Sequence, residues 1–355
     1  MRKAVIVVAG LITSLSAAGG VEAPVQEGGL KRSEFDSRIG DAVDRGLAWL
    51  AGCQNANGSW TNRVGYKIYE NYYGEENESV DVTALACMAF VSRGNVPGRG
   101  AYGRQVALGV QWLLSKVRDE DGYITHGGSR MYSHAFATLF LAEIYGMTRQ
   151  PEIRPKLKRA VDLLVNSQNR EGGWRYQPIP VDADLSVTVS TLQALRAARN
   201  VGIAVPLETI QRATQYVLRC ATRHGFNYQA VNIYGMNDAR ITYALTACGV
   251  VSLFSAGLYD SKELRDAQRA LRDRRHAPIP GKLHYYYGHY YAAQAMYLAG
   301  GDAWAAYYPS VSAEILGMQN KKDGSWQDDV GLTYATAMAC VVLQMPCEYL
   351  PLFQK

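Results

Sequence analysis

The chain has 355 residues, of which 48% are hydrophobic and only 19% charged. That balance fits a globular chain with a large core and excludes a disordered or low-complexity one. The formal charge of +5 comes from scattered basic residues, and the densest run, RALRDRRH from Arg269, is interrupted by Asp273. It reads as the solvent face of a helix, so nucleic acid is excluded as a partner.

At the start, Arg2 and Lys3 precede an apolar stretch from Ala4 to Leu15, followed by small residues. This pattern predicts a signal peptide with its cleavage region over residues 1–23, cut after Ala18 or Ala23, and a leader over 24–37. The mature protein is expected to be exported. The apolar run is short for a bilayer span, which needs about 18 or more apolar residues.

From residue 38 to the end, apolar positions recur at helical spacing, and long alternating β-branched runs are missing. One set of predicted helices has a charged face: 38–54, 103–118, 152–168, 207–222, 261–274 and 302–319. The other set is almost uncharged and rich in Ala, Thr and Tyr: 79–93, 131–146, 184–200, 239–257, 285–299 and 331–345. A helix with a polar face borders water, whereas one apolar all round is buried on both sides. Alternation of the two predicts an all-α fold, an (α/α)6 toroid of six outer–inner pairs in one domain over 38–355.

A short phrase recurs where an outer helix turns toward its inner partner. It reads Gln54, Gly58, Trp60, then Gln168, Gly172, Trp174, then Gln319, Gly324, Trp326 with one extra residue. Glycine permits the left-handed backbone that ends many helices. The tryptophan is expected to pack across the gap to the neighbouring pair, and the glutamine to bond orphaned carbonyls of its outer helix. These residues are read as scaffold.

The phrase resembles the QW repeat of squalene–hopene cyclases and related terpenoid cyclases, and Arg45-Gly46…Trp49-Leu50 fits its upstream part. The resemblance covers most of residues 38–345 and implies the toroid shared with protein prenyltransferase β subunits. It also implies an activity: class II cyclases of this kind protonate an alkene with the central aspartate of a DxDD motif. The nearest match is Asp182-Ala-Asp184-Leu185, with Leu185 in place of the last aspartate. Asp184, helped by Asp182, is the acid the resemblance implies. The Asp, Cys and His zinc set of the prenyltransferases has no DxC counterpart here. No metal and no cofactor is expected.

The inner helices can be aligned on Thr83, His134, Thr188, Thr242, Tyr290 and Thr333, with Ser79, Arg130, Asp184, Asp238, Tyr286 and Asp329 four residues earlier. Spacing of four puts both sets on one helix face. Ser79, Asp184, Asp238 and Asp329 are read as helix caps. His134 replaces a threonine on an apolar helix, while Asp81 and Arg240 interrupt a series of small or neutral residues. The fifth inner helix carries six tyrosines and two histidines within fourteen residues, His284 to Tyr297, among them Tyr286, His289 and Tyr290. Hydroxyl-tipped aromatics can stabilise a cation, stack on a sugar or pack on an isoprenoid.

The leading expectation is therefore a cavity that binds or isomerises an isoprenoid or other apolar small molecule. Asp184, Asp182 and His134 are the catalytic candidates, and Asp81, Arg240, Tyr286, His289 and Tyr290 the binding ones; transient membrane contact is compatible with such a ligand. One alternative is a secreted glycan lyase with His134 as base, Tyr290 as acid and Arg240 neutralising charge. Another is a non-catalytic binding or scaffold toroid. The six cysteines form no CxxC and no zinc spacing, and buried thiols are the favoured reading.

Overall fold

A computed structural model describes residues 32–64, 74–230, 238–282, 284–348 and 350. The expected signal peptide and most of the expected leader lie outside the described residues. Twelve α-helices are found among the described ones. The outer members are α1 (Arg32–Gly52), α3 (Gly103–Ser115), α5 (Ile153–Asn166), α7 (Leu207–Cys220), α9 (Lys262–Arg272) and α11 (Gly301–Met318). The inner members are α2 (Val80–Ser92), α4 (Met131–Thr148), α6 (Leu185–Asn200), α8 (Tyr243–Ser255), α10 (Tyr285–Ala299) and α12 (Leu332–Leu343).

Each inner helix touches the next, and α12 returns to α2, so the inner ring is closed. Outer helices lie against one or both of the flanking inner ones, and α1 seals the circle against α11 and α12. This is the (α/α)6 toroid that the alternation of charged and uncharged helices predicts. The first helix begins at Arg32 rather than at residue 38. Among the described residues no helix is long and apolar enough to cross a membrane.

Two small antiparallel sheets, which helical periodicity could not announce, sit at the heads of inner helices. One pairs β1 (Thr61–Val64) with β2 (Glu75–Glu78); the other runs β3 (Ala221–Thr222), β4 (Gly225–Gln229), β5 (Asp238–Ile241). Strand β5 occupies what sequence assigns to the start of the fourth inner helix. That helix therefore begins at Tyr243, capped by Thr242.

The repeated turn has one construction. The indole N–H of Trp60 donates to Leu50 O, that of Trp174 to Leu164 O and that of Trp326 to Ile315 O, each at 2.7 Å. All three carbonyls lie in the last four residues of an outer helix, where no intrahelical donor remains. The tryptophan thus does the capping that sequence reasoning gave to the glutamine. The glutamine reaches forward instead. Gln54, Gln168 and Gln319 each bind the glycine carbonyl of their own turn and a carbonyl on the next outer helix, Gln105, Thr209 and Ala42 respectively. Gln319 bonding Ala42 joins the last repeat to the first. Glycine is required at Gly172 on two counts: φ is +99°, and a Cβ would stand 2.2 Å from Arg212 O on α7. Trp60 and Trp326 pack where Gly109 and Gly46 thin the next outer helix.

Among the described residues, five of the six inner helices are fixed to the turns before them through one side chain. The main-chain N–H of Trp60 donates to Thr83 Oγ1, that of Trp174 to Thr188, that of Phe226 to Thr246 and that of Trp326 to Thr336. In the second repeat Ile124 N–H donates to His134 Nδ1 at 3.0 Å. The equivalence drawn from sequence therefore holds in the first three repeats and slips in two others, where Thr246 replaces Thr242 and Thr336 replaces Thr333. Residues three or four apart share a helix face, so the pattern alone could not separate these registers. Ser79, Asp184 and Thr242 cap their helices. Asp238 lies on β5 and is no cap, and exposed Asp329 precedes α12 without capping it.

Candidate functional site

The ring is plugged part-way along its axis. Phe136 of α4 meets Tyr290 of α10 edge-on, with ring centroids 5.9 Å apart, and these helices stand on opposite sides of the ring. Gln193 of α6 donates to Gln294 of α10 at 2.6 Å, and Gln294 in turn donates to Tyr290 O. Above this plug, at the N-terminal heads of the inner helices, a chamber of about 580 Å³ remains. Its volume lies within the range of small-molecule sites.

Side chains from all six inner repeats reach it. First-turn residues supply polar groups at the rim: Asp81, Tyr132, Ser186, Tyr287 and Tyr334. Residues one turn deeper, Leu85, Phe136 and Met338, supply an apolar floor. The strands and loops of the rim add Tyr176, Tyr228, Arg130, Arg240, Arg63 and Asp328. The rim carries charges of both signs. Asp81 and Asp328 come from the adjacent first and sixth repeats and Arg63 from the first, whereas Arg130 and Arg240 come from the second and fourth. Burial holds the Asp328 carboxyl above its ordinary range, and neighbouring Asp329 pushes the same way.

On the arginine side the rings and guanidiniums are stacked. Arg240 lies 4.1 Å over Tyr228, and Arg175 lies 4.9 Å over Tyr176 and 5.4 Å over Tyr228. The two tyrosine hydroxyls are hydrogen-bonded at 2.6 Å. Arg175 is held from behind by both aspartates of the DxD sequence, Asp182 at 3.4 Å and Asp184 at 3.5 Å.

Asp184 is completely buried and caps α6 by accepting from Val187 N–H at 2.9 Å. Burial raises its carboxyl to about 6, against the pull of Arg175 and of the Val187 and Ser186 amides. It does not line the chamber, and neither does Asp182, whose Oδ1 accepts from Gln229 at 3.1 Å. His134 is also away from the chamber wall. Its Nδ1 accepts from Ile124 N–H and its Nε2 faces Ala160 O at 3.1 Å, so both ring nitrogens are occupied and the tautomer carries its proton on Nε2. Burial lowers its pKa to about 4.

Of the remaining candidates, Asp81 and Arg240 line the chamber. Tyr286, His289 and Tyr290 do not. His289 Nδ1 pairs with Tyr307 OH at 2.8 Å, on the side of α11, and Tyr290 belongs to the plug. The tyrosine of α10 that faces the ligand space is Tyr287. His134, Tyr290 and Arg240 are thus not brought together as a lyase trio. Sequence reasoning passed over Tyr176 and Tyr228 because both sit on rim segments outside the helical repeat. Arg130 left a signal, since it breaks a series of short capping residues. Among the described residues no group of three or more His, Cys, Asp or Glu is gathered to hold a metal ion. Cys87, Cys220, Cys248 and Cys340 are buried free thiols, while Cys53 and Cys347 are exposed.

The His134 geometry has a measurable consequence. Its pKa falls from 6.5 to about 4 on folding, so the native state resists a proton that the unfolded chain accepts. The stabilisation is complete above pH 6.5 and is lost as pH falls toward 4, by about 3 kcal/mol in full. His134→Gln should lose about 1–2 kcal/mol at pH 7 through imperfect replacement of two hydrogen bonds. It should also lose less than wild type between pH 7 and pH 4.5 in urea melts. Parallel pH curves for the two proteins would refute this role.

No family model matches the chain. The squalene–hopene cyclase of Bradyrhizobium diazoefficiens is 22% identical over 212 residues, which is 55% of this chain and 31% of that protein. A probable squalene–hopene cyclase of Sinorhizobium fredii is 24% identical over 154 residues, covering 41% of this chain and 23% of its own length. The chain thus spans less than a third of either relative. Among solved structures, a type II terpene cyclase from Scytonema, in complex with its substrate geranylgeranyl dihydroxybenzoate, aligns with TM-score 0.60 at 14% identity. The alignment takes in 89% of this chain and 99% of the other. The cellobiose 2-epimerase of Spirochaeta thermophila aligns at TM-score 0.65 and 14% identity over 89% and 96% of the two chains. An α-1,6-mannanase from Salegentibacter gives 0.64 and 10% over 86% and 98%. The protein is an α/α toroid related to the terpene-cyclase-like folds, and it shares that architecture with sugar-processing enzymes. Fold alone does not choose between those chemistries.

Proposed function

We propose that the chain is a terpene-cyclase-like toroid whose chamber encloses an isoprenoid-type, largely apolar small molecule. The observation that carries this reading is the floor of Leu85, Phe136 and Met338 beneath a tyrosine rim, closed below by Phe136 and Tyr290. Such a cup buries an apolar body and leaves its polar end at the mouth, which is how small-molecule sites of this size are built. A sugar would place hydroxyls on a floor that offers no hydrogen-bond partner, at a cost for each unpaired group. In this reading Asp182 and Asp184 hold Arg175 against Tyr176 and Tyr228 rather than meet the ligand. If the bound skeleton is isomerised, the proton comes from a carboxyl that lines the chamber, and Asp328, raised by burial, is the better placed donor.

The test is calorimetric titration with farnesol and, separately, with manno-oligosaccharides. Farnesol is expected to bind with a negative heat-capacity change, the mark of apolar burial, and the sugar not to bind. Ser133→Trp, which fills the chamber from its wall, should abolish farnesol binding while the melting temperature stays near wild type. Sugar binding without farnesol binding would overturn the reading.

A further inference from the structure

We infer that the ligand carries an anionic head, a carboxylate or a phosphate, seated at the rim by Arg130 with Ser133 and Arg240. This rests on the proposed isoprenoid-type chamber and names the polar end of its occupant.

Arg130 stands immediately before α4, where other inner helices place Ser79, Asp184 or Thr242. Those residues cap their helix with a side-chain oxygen, and Arg130 gives α4 no such cap. Met131 N–H at the head of α4 donates to Tyr176 O, which leaves the amides of Tyr132 and Ser133 and the positive end of the helix dipole beside a guanidinium. Ser133, one turn in, lines the same chamber and is buried. Among the described residues Arg130 has a ring contact with Tyr176, at 6.0 Å, and no carboxylate within salt-bridge distance. Arg175, by contrast, is already matched by Asp182 and Asp184.

Arg240 approaches from the fourth repeat, two places round the ring from α4, with its guanidinium 4.1 Å over the Tyr228 ring. Tyr228 and Tyr176 are tied through their hydroxyls, so one aromatic pair supports both arginines across the mouth. A planar guanidinium in such a position matches carboxylate or phosphate oxygens better than an ammonium would. The rim carboxylates Asp81 and Asp328 lie in the first and sixth repeats, where Arg63 also lines the chamber, and would repel an anion placed beside them. The ligand is therefore oriented with its anionic end on Arg130 and Arg240 and its apolar body on Leu85, Phe136 and Met338.

The test uses four ligands with one tail: farnesol, farnesylamine, farnesoate and farnesyl monophosphate, titrated calorimetrically into the full chain. At least one anion should bind ten-fold or more tightly than farnesol, with affinity falling as salt rises. The two anionic arms separate a carboxylate-specific seat from a phosphate one. Arg130→Gln should bring that anion to the affinity the same variant shows for farnesol, and Arg240→Gln should do so in part. Equal binding of farnesol and both anions overturns the anion seat while leaving the chamber reading intact. Preference for farnesylamine overturns it in favour of Asp81 and Asp328. Binding of none of the four overturns both.

Discussion

Trp174→Ala should lower the stability of the protein by about 3–5 kcal/mol, the usual cost of removing a large ring from a packed core. Trp174 is 1% exposed, and its indole N–H is the partner of the Leu164 carbonyl at the frayed end of α5. The substitution therefore opens a cavity and removes the shorter of two hydrogen bonds to that carbonyl, which also accepts from Ser167 Oγ at 3.3 Å. Trp174→Phe separates the two effects. It keeps most of the ring and should cost about 0.5–1.5 kcal/mol, the net worth of one lost hydrogen bond. The second and fourth repeats show that the position tolerates other apolar residues when the surroundings are built for them: Ile124 and Phe226 occupy it and are buried. Chemical denaturation of both variants at neutral pH checks the prediction. Wild-type stability of Trp174→Ala would mean that the repeated turn carries no load.

The toroid was legible because its cause is periodic. Six alternations of a polar-faced and an all-apolar helix leave few ways to bury both kinds, and the Gln–Gly–Trp turn marks where one gives way to the next. Even there, the sequence named the partners without their roles. Tryptophan and glutamine both carry N–H donors, and only geometry shows the indole capping its own helix while the amide crosses to the next. The chamber was less legible. Its rim is made by residues that leave the repeat, such as Tyr176, Tyr228 and Asp328, and periodicity says nothing of them. Tyrosines on α10 looked equivalent in sequence, yet a rotation of about 100° per residue sends Tyr287 to the ligand space and Tyr286 elsewhere. His134 stood out as an exception to a threonine series. It proves to serve the same main-chain contact as those threonines, with a longer side chain beside the smaller Ile124.

The most consequential prediction concerns Asp184, because two roles for it diverge in sign. Its carboxyl is raised from 3.8 to about 6 by complete burial. A group whose folded pKa lies above its unfolded one contributes stability that is present below the unfolded value and is lost as pH rises through the folded value. Wild-type protein should therefore lose about 2 kcal/mol between pH 4 and pH 7 through this residue alone. Titration of His134 runs the other way over part of this range, so the quantity to measure is the difference between variant and wild type. Asp184→Asn mimics the protonated acid and caps a helix about as well. Its stability relative to wild type should rise by about 2 kcal/mol from pH 4 to pH 7, and the variant should still bind the ligand, since Asp184 does not line the chamber. Asp184→Ala removes the cap as well and should fall about 1 kcal/mol below the asparagine variant at every pH. If Asp184 were instead the proton donor to a bound alkene, Asp184→Asn would fold normally and abolish turnover of a polyprenyl substrate. An Asn variant that tracks wild type at all pH values would show that the carboxyl titrates near its ordinary range, and the clamp of Asp182, Arg175 and Asp184 would then be ionised throughout.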